Sequence, residues 1–378
     1  MRWNFAAALL AVSFLMVGCK KHPQASDEIV VGEFGSLTGA TATFGQASHE
    51  GLALALEQIN KNGGILGKQV RVITEDDASD ANQAVNVVQK LVNSDGVVGV
   101  IGEVASKRSL AGGGICEKYK CPMLSPSSTN PDVTVEGGKV KSYVFRICFT
   151  DTFQGSINGQ FGAAQGWKSV AMMTNVDEDY SKGLAKSFKA EFSKTGKIVA
   201  EESYSGDTQD FKAQLNRIKQ QNPDAVYIPG YYNEVGLILP QAKQIGLSVP
   251  FFGGDGWDSP LTLKLPEAQG NFYSDHYSPD DNRPESQEFV KLFRAKYNKT
   301  PDAMAVLGYD AMRVMADAIK RAGKADRQAV TDALAQTKDF PGASGAISID
   351  AEHNARKPIV ILQLKDSKAA LFKTFQPE

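Results

Sequence analysis

Six positions in this 378-residue chain carry side chains suited to gripping a small zwitterion: Ser106, Ser127, Thr129, Tyr180, Tyr231 and Asp255. Each follows a stretch that reads as a strand. Serine and threonine hydroxyls beside the free N–H groups of a helix N-terminus favour an anion such as a carboxylate. A single aspartate holds an ammonium, and tyrosine offers an apolar wall with a polar tip. Both charges of a zwitterion need a partner, because burying either one unpaired is costly. Taken singly, each position has a plainer account: Ser106 as a helix cap, and Ser125-Pro126-Ser127-Ser128-Thr129-Asn130-Pro131 as a polar turn. Strand ends from consecutive βα units lie side by side, and that neighbourhood joins them into one site.

Reaction chemistry finds little support. Gly112-Gly113-Gly114 lies inside a helical stretch and outside any phosphate-cradling glycine frame. There is no GxSxG elbow for a nucleophile. The four histidines (His22, His49, His276 and His353) have no ligand-like spacing, and no CxxC is present. The expectation is a binder that is not an enzyme, with neither cofactor nor metal. Asp76-Asp77 with Asp80 reads as a solvated strand end followed by a cap, not a cation site. The formal net charge of -2, with lysines scattered among acids, argues against nucleic acid as a partner.

The elements that must position these residues alternate strand and helix from Ile29 onward, the pattern of α/β proteins with parallel sheets. The strands are expected at Ile29–Phe34, Val70–Ile73, Val97–Ile101 and Pro122–Ser125, with helices between them. Asn62-Gly63-Gly64 stops the first helix, and Asp80 with Gln83 opens the second. A second block repeats the plan from Ser169. Its helices are Tyr180–Lys194, Asp210–Gln221 and Glu234–Gln244, and its strands are Ile198–Ala200, Ala225–Pro229, Pro250–Gly253 and Gly270–Tyr277. Helices Glu285–Tyr297, Ala303–Ala322 and Arg327–Gln336 follow, and strands near Ile347 and at Ile359–Leu364 end the chain.

Arg2 and the apolar run Phe5–Val17 match a secretory leader too short for a membrane helix, which needs roughly 20 residues. Met16-Val17-Gly18-Cys19 resembles a lipobox, so residues 1–18 are expected to be removed, Cys19 acylated, and residues 19–28 left as a lipidated tether. The remainder exceeds what one core usually serves. Two doubly wound parallel-sheet lobes are expected, residues 29–148 with 278–353 and residues 149–277 with 354–378. Phe145–Asp151, Tyr273–Tyr277 and Ala351–Lys357 would form a three-segment hinge, with a ligand at the carboxyl ends of the strands. Among Cys116, Cys121 and Cys148, three pairings are open.

From Ile29 to about Leu364 the chain resembles the type I periplasmic binding proteins of the branched-chain amino acid class. The resemblance rests on Gly35-Ser36-Leu37-Thr38-Gly39, Asn62-Gly63-Gly64-Ile65-Leu66-Gly67, Asp76-Asp77, the serine-rich turn before Pro131, Tyr180 with Gly183-Leu184-Ala185, and Tyr309-Asp310-Ala311. It implies that Ser106 and Thr129 hold a ligand carboxylate, while Asp255 and the Ser127 carbonyl hold its ammonium. Tyr180 and Tyr231 would close from the second lobe. Phe44, Val104, Ala105 and Ser127 would surround the side chain, with Met304 nearby, and Ser127 and Ser128 would make that lining more polar than in the leucine-binding relative. Ser79 and Ala105 stand where that relative has a disulfide. The resemblance further implies a monomeric lipoprotein of the periplasm that delivers an amino acid to ABC transporter permease subunits. The same fold also serves binders or sensors of amides, urea or aromatic acids.

Overall fold

The structure is a computed structural model that describes Met1 and residues 28–377. Apart from Met1, the expected leader, with lipidation at Cys19 and all of the tether but Glu28, lies outside the described residues. The first lobe begins with β1 (Glu28–Gly35), α1 (Ala42–Lys61), β2 (Gln69–Asp76), α2 (Ala81–Asn93), β3 (Val100–Ile101), α3 (Ser106–Lys118) and β4 (Met123–Ser125). A small hairpin, β5 (Val135–Glu136) with β6 (Lys139–Val140), precedes β7 (Val144–Arg146). The sheet has the order β2-β1-β3-β4-β7 and is parallel throughout.

The second lobe runs through α4 (Asp151–Ala164), β8 (Ser169–Asn175), α5 (Asp179–Phe192), β9 (Lys197–Tyr204), α6 (Lys212–Gln220), β10 (Ala225–Ile228), α7 (Tyr232–Gln244), β11 (Phe251–Gly253), α8 (Pro260–Lys264) and β12 (Phe272–Asp275). The chain then returns to the first lobe with α9 (Pro284–Tyr297), α10 (Ala303–Ala322), α11 (Arg327–Ala335) and the hairpin β13 (Phe340–Gly342) and β14 (Gly345–Ile347). It ends in β15 (Ile359–Lys365) and β16 (Lys368–Phe375), which extend the second sheet antiparallel to β12 in the order β16-β15-β12-β11-β10-β8-β9.

Both sheets are covered on two faces, as the two-residue period of their strands requires. On β1, Ile29 and Val31 pack toward α1 and α10, while Val30 and Phe34 pack toward α2 and α3. On β8, Val170 and Met172 join the α4–α5 side, and Ala171 and Met173 join the α6–α7 side. Parallel strands buried on both faces read as unbroken apolar runs, which is why Ser169–Met173 and Ala225–Pro229 were legible in sequence.

The chain passes between the sheets after Arg146, after Asp275 and between Ile347 and Ile359, close to the three expected hinge segments. Aromatic stacking ties the crossings together. Phe145 stacks on His353 with ring centroids 3.9 Å apart, and Phe149 stacks on His276 at 3.8 Å. The buried Arg146 guanidinium donates to the carbonyls of Ser128 and Asn130, both at 2.7 Å, so the first crossing braces the serine-rich turn.

The sequence reading missed α4. Its glycines lower helix propensity, yet they allow α4 to approach α5 closely: a Cβ on Gly155 would lie 2.7 Å from the Phe188 backbone nitrogen, and one on Gly159 would lie 2.8 Å from the Glu191 Cβ. Gly155→Ala is expected to destabilise the protein. The added methyl recovers about 1 kcal/mol of helix propensity, and overpacking against backbone costs up to about 3 kcal/mol. Urea unfolding measures the balance, and a raised midpoint would mean that α5 shifts without strain.

Candidate functional site

The loops at the carboxyl ends of the strands meet between the lobes. On the first-lobe wall, α3 begins at Ser106 after the extended Ala105, and the Ser106 hydroxyl accepts from the Asn130 N–H at 3.1 Å. The turn after β4 is wholly buried. Ser127 donates its hydroxyl to the Val104 carbonyl at 2.8 Å, and Ser128 donates to the Glu103 carbonyl at 2.9 Å. Both hydroxyl hydrogens therefore bond inside the lobe, against the expectation that Ser127 and Ser128 make the lining more polar.

Glu103, fully buried, organises this wall. Its Oε1 accepts from the Ser36 N–H (2.8 Å) and hydroxyl (2.7 Å), and its Oε2 accepts from the Ala105 N–H (2.6 Å) and from Arg108 Nε (3.2 Å). Arg108 continues to the Thr41 hydroxyl at 2.8 Å, so one carboxylate ties the β1–α1 loop to the β3–α3 loop and the start of α3. Asp77 corrects the reading of a solvated strand end: it is fully buried beside Ser36, and burial together with the Glu103 charge pushes its carboxyl up to about 7. Asp76 and Asp80 behave as expected. The first gathers the N–H groups of Leu37, Thr38 and Ala78, and the second caps α2 through the Gln83 N–H.

On the second-lobe wall, Tyr180 opens α5 and Tyr231 precedes α7, and their rings stack at 4.9 Å. Asp255 lies in the 3-10 turn after β11. Its Oδ1 accepts from Tyr180 (3.0 Å) and Gln154 Nε2 (2.9 Å), and its Oδ2 lies 3.0 Å from His276 Nε2. Burial lowers the His276 pKa, so the ring is neutral and donates through Nε2. Burial and the Asp255 charge push the Tyr180 phenol well above its usual value, which keeps it a donor.

The walls touch directly. Phe44 packs edge-on against Tyr231 (6.0 Å) and Tyr232 (4.8 Å), and the Tyr232 hydroxyl donates to the Ala40 carbonyl at 3.0 Å while accepting from the Thr43 N–H at 3.3 Å. Asn130 Nδ2 donates to the Asp179 carbonyl at 2.8 Å. Phe44, Val104, Ala105, Tyr180, Tyr231 and Met304 belong to one buried cluster. The Thr129 carbonyl accepts from the Asp151 N–H at 2.8 Å, and Asp151 in turn lies within the electrostatic reach of Asp255. Contacts thus link Phe44 to Tyr231, Tyr231 to Tyr180, Tyr180 to Asp255, Ser127 to Val104, and Ser106 to Asn130 beside Thr129.

Sequence reasoning missed Asp151, Gln154 and His276. Asp151 begins α4 behind its Thr150 cap, an ordinary place for an acid, and gives no signal by itself. In the structure it is fully buried. Neither carboxylate oxygen makes a well-formed hydrogen bond, although the Thr129 hydroxyl lies beside them. Gln154 Oε1 and His276 Nδ1 are also buried without a partner. The surroundings of Asp255 therefore hold a surplus of acceptors, and burial pushes the Asp151 carboxyl well above the usual range. Gly183 makes room for it, since a Cβ there would lie 2.5 Å from Asp151 Oδ2. A cavity of about 420 Å³ also opens between the lobes, lined by Glu50, Asp258, Tyr277 and Asp302, and none of the sequence-predicted site residues lines it.

A family profile described as periplasmic binding protein matches residues 28–369. The leucine-, isoleucine-, valine-, threonine-, and alanine-binding protein of Pseudomonas aeruginosa is 32% identical over 344 residues, 90% of this chain and 91% of that protein. The leucine binding protein LivK of Thermotoga maritima superposes with a TM-score of 0.88 at 36% identity, over 92% of this chain and 99% of that one. LivJ of Streptococcus pneumoniae, in complex with isoleucine, gives 0.87 at 33% identity, over 93% and 100% of the respective chains.

Proposed function

The chain belongs to the periplasmic binding protein family, which implies an extracytoplasmic location, and from that premise we propose that it captures one α-amino acid with a small, branched apolar side chain between its lobes and delivers it to an ABC importer. The observation that carries this reading is the surplus of buried acceptors around Asp255 and Asp151, set against the hydroxyls and helix N-terminus at Ser106 and Thr129. An ammonium has three donors and no acceptor, so it suits the first group, and a carboxylate suits the second.

In this reading Asp255, Asp151 and the Ser127 carbonyl hold the ammonium, and Ser106 and Thr129 hold the carboxylate. Phe44, Val104, Ala105 and Tyr231 enclose the side chain, with Tyr180 supporting Asp255. Residues 29–148 with 278–353 form one lobe and residues 149–277 with 354–378 the other. Cys19 carries a lipid anchor, and the protein works as a monomer that presents its closed form to permease subunits. Ligand contacts from both lobes are required, because a ligand shifts the equilibrium only by its preference for the closed form.

Calorimetric titration of protein first unfolded and refolded to remove carried-over ligand tests the assignment. Leucine, isoleucine or valine is expected to bind with micromolar affinity or better, about 8 kcal/mol. Silence toward α-amino acids with binding of an amide, urea or an aromatic acid would overturn the ligand and leave the family standing.

A further inference from the structure

Helix α3 ends in a particular way. Lys120 adopts a left-handed conformation (φ 52°), the Cys121 N–H donates to the Cys116 carbonyl at 3.0 Å, and the Lys120 N–H donates to the Glu117 carbonyl at 3.3 Å. These paired bonds define the Schellman ending, which brings the side chains at its two outer positions into contact. Two apolar residues usually meet there. In this chain the two positions are Cys116 and Cys121, both fully buried in one cluster with Val97, Val100 and Met123.

The third thiol is elsewhere. Cys148 Sγ donates to the Ser128 carbonyl at 3.4 Å and is surrounded by Arg146, Asp151, Asp255 and Lys357, and neither Cys116 nor Cys121 is among the groups that act on it. Of the three pairings open to the sequence, only one joins neighbours. All three thiols are free in the structure.

We propose that Cys116 and Cys121 form a disulfide in the exported protein. The proposal rests on the extracytoplasmic location implied by the family, where such bonds persist, and is independent of the ligand. The chemistry is thiol–disulfide exchange with an extracytoplasmic oxidoreductase. One cysteine thiolate attacks the enzyme disulfide and releases one enzyme thiolate. The second cysteine then displaces the remaining enzyme sulfur, closing the intramolecular S–S bond. Two electrons and two protons pass to the oxidoreductase, which leaves as a dithiol. Burial holds both thiols well above their usual pKa, Cys121 at about 12, and excludes the enzyme. The bond therefore forms before this part of the core closes, when the short loop between the two residues closes readily.

Peptide mapping provides the test. The full chain is expressed with its own leader, recovered from the extracytoplasmic fraction, denatured in an alkylating reagent without reductant, and digested with trypsin. Cleavage after Arg108, Lys118, Lys120 and Lys139 separates Cys116 (residues 109–118) from Cys121 (residues 121–139). The expected result is one cross-linked species of these two peptides, alkylated only after reduction, with Cys148 alkylated from the start. Alkyl groups on both peptides before reduction, or a cross-link to Cys148, would overturn the proposal. As a second readout, reductant present through unfolding and refolding is expected to lower the wild-type thermal midpoint by a few degrees, about the shift that loss of a short-loop crosslink produces. Cys121→Ser is expected to be insensitive to reductant, and an equal shift in that variant would count against the bond.

Discussion

Asp255→Asn is expected to reduce amino-acid affinity by at least about a hundredfold while leaving the fold intact. Removing one partner of a buried charge pair costs about 3–5 kcal/mol, which corresponds to two or more decades in affinity. The substitution keeps size and most geometry. An asparagine carbonyl still accepts from Tyr180 and Gln154, as Asp255 Oδ1 does. Its amide faces His276, whose neutral ring satisfies a donor by exchanging tautomer. The loss should therefore fall on binding rather than folding. Calorimetry of wild type and variant, with urea unfolding of both in parallel, separates the two. Unchanged affinity would remove Asp255 from the site, and an unfolded variant would show that its role is to hold the wall together.

Asp151→Asn is expected to have opposite effects on stability and binding. A buried carboxylate without a well-formed hydrogen bond destabilises the ligand-free protein, and neutralising it should recover about 1–3 kcal/mol. The same change removes a proposed partner of the ligand ammonium and should weaken binding about tenfold or more. The pH dependence identifies the cause. Burial raises the folded-state pKa of Asp151, while an unfolded aspartate titrates near 3.9 (roughly). The stability due to a raised acid is fully present below the unfolded value and is lost as pH rises toward the folded one. The stability advantage of the variant should therefore grow as pH rises from about 4. An advantage that is constant with pH would mean that packing, not charge, is responsible.

The parts of the fold legible in sequence were those whose periodicity reports their burial. The apolar runs of β8 and β10 named themselves as strands covered on both faces, and α10 was placed at Ala303–Ala322, the bounds it has in the structure. Helix α4 was illegible because its glycines serve contact with α5, a tertiary demand that overrides local propensity. The candidate site divides in the same way. Ser106, Tyr180, Tyr231 and Asp255 follow strands and so announce a strand-end location, whereas Asp151 looks like any acid in a first helical turn. Only its three-dimensional surroundings, with the Thr129 hydroxyl beside it and Asp255 nearby, set it apart. Asp77 errs in the other direction: adjacent to the half-buried Asp76, it reads as solvent-facing, yet alternation along the chain turns it inward to Ser36.

The Tyr232 hydroxyl, bonded at once to Ala40 and Thr43, and the Asn130 amide, bonded to Asp179, join the lobes through atoms that belong to the protein alone. Each such latch worth about 1 kcal/mol raises the closed-to-open ratio about fivefold, whatever is held inside. It strengthens the retention of every cargo by the same factor and changes the preference between two cargoes not at all. In the proposed reading, grip and choice therefore fall to different residues: the latches set how tightly the receptor holds, while the walls around Phe44, Tyr231 and Ser106 set what it holds.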